Sequence, residues 1–120
     1  MNLPDSLSLG EKICRHLSEE IDKLGFGKEN QLLPPRYNNA SFSTAADTYS
    51  GLESVIGIWR NQRGDRVGEI KIHGDGSFYA EYDVALPHPT DKRWFVEAVI
   101  AWGRENVIKT EAKLLPSLGQ

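Results

Sequence analysis

Arg66-Val-Gly-Glu-Ile-Lys-Ile-His73 and Ser77-Phe-Tyr-Ala-Glu-Tyr-Asp-Val-Ala85, separated by Gly74-Asp75-Gly76, decide how this chain is read. Both runs alternate apolar and polar side chains, the period of a strand with one buried face. The Gly-rich link tolerates the positive φ that a tight turn demands. Together they predict a β-hairpin. By alternation Ile70, Ile72, Phe78, Ala80, Tyr82 and Val84 face a core, whereas Glu69, Lys71, Tyr79, Glu81 and Asp83 face away from it.

The flanking segments extend this hairpin. Val55-Ile-Gly-Ile-Trp-Arg60 is strand-like, and Asn61-Gln-Arg-Gly-Asp65 supplies the turn that leads into the strand at 66–73. The Arg63-Gly64-Asp65 tripeptide is read as turn chemistry, because Asn, Gly and Asp each suit turn backbone for a different reason. Residues 106–115 alternate again and close at Pro116, which predicts a final strand.

Helical spacing shows in two places. Ile13, Leu17, Ile21 and Leu24 predict a helix over 8–24, with Ser8-Leu-Gly-Glu11 as a capping box and Gly25 as its stop. Phe95, Ala98, Val99 and Trp102 predict a second helix over 92–102, capped at Thr90 or Asp91 and ended by Gly103. Residues 27–54 show no clear period. Pro34 and Pro35 cannot continue a helix, and Arg36 to Ser43 fits a short edge strand anchored by Tyr37 and Phe42. The expected fold is a single α+β domain over 1–120. It is a two-layer sandwich, with a mainly antiparallel sheet of about four to five strands and two helices packed on one face.

Composition narrows the class of function. Apolar residues make up 39% and charged residues 26%, values of a folded domain and not of a disordered chain. Fourteen basic against seventeen acidic residues give a net charge of −3, which supplies no general drive toward nucleic acid or anionic lipid. No apolar run approaches the roughly 20 residues that span a bilayer, and the N-terminus lacks a secretory signal. The single cysteine, Cys14, excludes an intrachain disulfide and favours a reducing compartment. A cytoplasmic location is expected.

Candidate sites each have a simpler reading. Gly74–Gly76 leads into a strand and not into a helix N-terminus, so it is a hairpin turn and not a phosphate loop. His73, His88, Asp83 and Asp91 show no metal-ligand spacing, and no metal or cofactor is expected. Cys14 sits on a packing helix without a neighbouring base, where it serves as a small apolar residue. Glu81 with Asp83 reads as a wet strand face, since nothing in the sequence desolvates one of the pair to part their pKa values. No catalytic residue is assigned.

Trp59, Lys71, Tyr79, Glu81 and Asp83 form the partner-binding candidates. Aromatic groups framed by charge are the composition of an interface centre and rim, provided that Trp59 lies on the open face with Tyr79. The expected function is a small non-enzymatic accessory or interaction domain that binds a protein partner or a second copy of itself. The alternative is a small-ligand binder or enzyme with a pocket between the sheet and residues 27–54, for which Arg36, Tyr37, His73 and His88 are the polar groups. Single-stranded nucleic acid fits less well, because Glu69, Glu81 and Asp83 would repel phosphate.

Overall fold

A computed structural model describes residues 3–26, 35–46, 48–49 and 51–117. One helix, α1 (Leu3–Lys23), is followed by a short 3-10 turn (Tyr37–Asn39) and six strands. These are β1 (Ser41–Ala46), β2 (Glu53–Arg60), β3 (Arg66–His73), β4 (Ser77–Pro87), β5 (Trp94–Arg104) and β6 (Val107–Pro116). Each strand pairs antiparallel with the next, giving one sheet in the order β1-β2-β3-β4-β5-β6. No helix among the described residues is long and apolar enough to cross a membrane.

This corrects the expected sandwich of two helices on four to five strands. Residues 94–104 are a strand and not a helix. β5 is flanked on both sides, by β4 and β6, and carries apolar groups on both faces, so its sequence lacks the alternation that marks a half-buried strand. Phe95, Ala98, Val99 and Trp102 then mimic helical spacing, while the β-branched and aromatic content points to strand. A bulge between Val96 and Ala98 blurs the period further. Gly103 ends no helix. It stands in the strand at φ 149, where a Cβ would come within 1.9 Å of the Val107 carbonyl oxygen.

The first helix exists but starts earlier than the capping box implied. Its buried stripe runs Ser6, Leu9, Ile13, Leu17 and Ile21, so the apolar face reaches back beyond Ser8, which is exposed. Proline at position 4 does not oppose this, since the first turn has no use for its missing N–H. At the other end Gly25 adopts φ 102, its N–H bonds the Asp22 carbonyl, and Phe26 is buried. The helix ends as a glycine cap with an apolar contact.

α1 packs across β3, β5 and β6, and the core lies between. Ile70, Ile72, Phe78, Ala80, Tyr82, Val84, Val99 and Ala101 line the sheet side of it. The sheet uses small residues where larger groups cross over them. Phe42 of β1 lies over Gly57, where a Cβ would come within 2.5 Å of its ring. Tyr37 stacks on Phe42 at 4.5 Å between centroids and occupies the space a side chain at Gly10 would need. The segment expected to be opaque thus contributes a turn and an edge strand that close the core beyond α1.

Candidate functional site

Register places the side chains of the sheet face opposite α1 in rows across the strands. One row runs Ser43, Ile56, Lys71, Tyr79, Trp102 and Lys109, each residue paired with the next. The adjacent row, two residues along each strand, runs Ser41, Ile58, Glu69, Glu81, Ile100 and Glu111. Beyond it, Asp83, Ala98 and Lys113 begin a third. No helix or strand among the described residues covers these rows, and Ile56, Ile58, Tyr79, Ile100 and Trp102 are only half-buried by their neighbours.

The electrostatics of this face are local and paired. Lys113 reaches diagonally to Glu81, Nζ to Oε1 at 2.7 Å, and the carboxylate holds the ammonium above its usual range. Glu69 is held by Arg66 three residues before it. The Lys71 ammonium sits 5.6 Å from the centre of the exposed Tyr49 ring, a cation–π geometry. Partial burial pushes the Tyr79 phenol up, with Glu81 adding to it. Burial likewise pushes the Asp83 carboxyl up, reinforced by the like charges of Glu81 and Glu97.

Trp59 does not belong to this face. It is 3% exposed, stacks edge-on against Tyr82 at 5.8 Å, and donates its indole N–H to the Arg36 carbonyl at 2.8 Å. Val55, Gly57 and Trp59 turn toward α1, and Ile56 and Ile58 turn away, the reverse of the arrangement expected for a Trp59 partner site. Alternation in Val55–Arg60 is equally good either way, because both sets contain large apolar groups. The missing aromatic is Trp102, which register brings opposite Tyr79 and which the helical reading of 92–102 had turned into the core. Phe95, expected in the core with it, is half-buried and pairs with Pro87 and Leu115.

The four residues of the alternative ligand site are not brought together. Arg36 and Tyr37 line a shallow depression of about 470 Å³ with Glu11, Cys14 and Arg15. His73 lines another, of about 210 Å³, with Ser54, Thr44 and Val55. His73 lies five positions along β3 from Gly68, the partner of Trp59, or roughly 17 Å of strand. His88 serves its own loop, its Nδ1 accepting from the backbone N–H of Thr90 and of Asp91.

The Ser54–His73 pair resembles a nucleophile with its base, at 2.6 Å between Oγ and Nδ1. The Leu52 carbonyl, 2.9 Å from the same Oγ, competes with the imidazole for the one hydroxyl proton. Ser54 is also buried. Cys14 is buried, and that burial pushes its thiol up to about 12, with Glu11 adding, which favours the protonated form. The Arg63-Gly64-Asp65 stretch is a turn, in which Asn61 Oδ1 accepts from the N–H of Arg63 and Asp65.

No protein-family model, curated protein or solved structure matches this chain.

Proposed function

We propose that this chain is a non-enzymatic interaction domain that docks a protein surface on the open face of its sheet. The observation that carries the reading is the half-buried set Tyr79, Trp102 and Ile100, with Ile56 and Ile58 beyond the Lys71 and Glu69 of β3, on a face that no described helix or strand covers. Monomers seldom keep clustered aromatic and aliphatic groups on an open sheet face without a use. Aromatic groups at the middle of a rigid surface with charges outside them match the centre and rim of a protein interface. Carboxylates beside the aromatic pair oppose a nucleic-acid backbone there.

The test compares tryptophans on the two faces. Trp59→Ala should destabilise the fold by about 3–5 kcal/mol, as loss of a buried aromatic does. Tyr79→Ala and Trp102→Ala should cost clearly less in urea unfolding, yet abolish association with whatever wild-type bait retains in native extract. Unchanged association by both folded variants would remove the face from the function.

A further inference from the structure

The occupant of the open face follows from the two complete rows. We infer that it is a second copy of this chain, docked face to face about a two-fold axis that lies between the rows and runs parallel to them; this rests on the reading of the face as an interface. Such an axis exchanges the rows, so each residue of the first row meets the second-row residue of its own strand in the partner. On β2, Ile56 then meets Ile58; on β3, Lys71 meets Glu69; on β4, the Tyr79 hydroxyl meets Glu81. On β5, Trp102 meets Ile100, and on β6, Lys109 meets Glu111. Apolar falls on apolar on β2 and β5, cation on carboxylate on β3 and β6, and a phenol donor on a carboxylate on β4.

The same operation reverses the strand direction but keeps the strands aligned, which is a packing that twisted sheets adopt with an offset of about 30°. That offset loosens the outermost columns, so β3, β4 and β5 hold the register. Glu69 and Glu81 are each bonded to one base of their own chain, Arg66 and Lys113, and a carboxylate has acceptor positions left for a second donor. The size is adequate. Six strands spaced by about 4.8 Å, with eight to eleven residues in all but β1, present a face of roughly 700 Å², close to the ~800 Å² that each partner contributes to a standard interface. Other axes in the sheet plane do worse. A central axis along the strands, between β3 and β4, would set each row on itself, Lys71 on Tyr79 and Glu69 on Glu81, which brings like charges together and pairs no opposite ones.

Sedimentation of the full chain across a wide concentration range tests this, with charge reversals as the probe. Wild type should dimerise reversibly. Lys71→Glu with Lys109→Glu makes both rows acidic, and Glu69→Lys with Glu111→Lys makes both rows basic. Each double variant alone should lose affinity by more than about tenfold, because like charges then face each other across the interface. Mixed one to one, the two should recover a heterodimer, and the chain carrying all four reversals should self-associate again. Circular dichroism and urea midpoints establish that each variant is folded. A wild-type chain that stays monomeric, while Trp102→Ala loses a protein that wild type captures, overturns self-pairing alone. A wild-type dimer indifferent to Trp102→Ala and to both reversals overturns the face itself as the interface.

Discussion

Gly10 shows how a single hydrogen in place of a methyl group sets local structure. In an exposed helix interior, Gly→Ala stabilises by about 1 kcal/mol. Here the new Cβ would lie 1.9 Å from Cε2 of Tyr37, so overpacking decides the sign, and Gly10→Ala should lose about 1–3 kcal/mol in urea unfolding. A gain would place the Tyr37 ring elsewhere. Cys14 makes a pH prediction. Its folded value, about 12, lies above the unfolded value of about 8.5, so its contribution to stability is complete below the unfolded value and is lost as pH rises between the two. The loss should approach about 1.4 kcal/mol per pH unit within that window. The buried phenols of Tyr37 and Tyr82, also pushed up, act with the same sign at higher pH. Urea midpoints from pH 8.5 to 10 should therefore fall less steeply for Cys14→Ala than for wild type. Parallel slopes would mean that the thiol reaches water.

Among the elements, β1 and β5 are opposites that composition does not separate well. Every residue of β1 is exposed, no strand among the described residues lies beyond its outer edge, and Ser41–Ala46 contains no charge or proline to guard that edge. β5 lies between two long partners, and Val96, Ala98, Val99 and Ala101 are fully buried. Native-state hydrogen exchange should accordingly be slowest in β3, β4 and β5, and faster by orders of magnitude in β1. Equal protection in β1 would show that another strand is added to its edge. The 66–85 hairpin was readable because each strand buries one face, so residue type and direction coincide. β5 was not, because both its faces carry apolar groups: Val99 and Ala101 toward α1, Ile100 and Trp102 on the open face.

Across the whole molecule, α1 is the single described helix that covers the core face, and it is held along its length by the sheet. Leu17 and Ile13 are fully buried on β3, β5 and β6, and polar ties at the margin join Thr110 to Glu20 and Lys12 to Asn106. Leu17→Ala should therefore cost about 2–5 kcal/mol and lower the unfolding midpoints of helix and sheet signals together. A helix signal that melts first, with the sheet signal unmoved, would mean the two layers do not share one cooperative core.

By itself the sequence determined the 66–85 hairpin, the strand ends at its turns, the core stripe of α1 and the burial of Cys14 on it. Each is a local matter of period, turn backbone or side-chain type. It also determined that Lys71, Tyr79, Glu81 and Asp83 share a face, since alternation along one hairpin needs no distant information. Tertiary structure decided that 94–104 is a strand, that Trp59 is core, and that Trp102 and Ile100 complete the open rows. Those outcomes depend on which neighbours each strand acquires and on which of two apolar sets α1 covers. Period alone cannot supply this, because an apolar side chain is driven out of water by either cover.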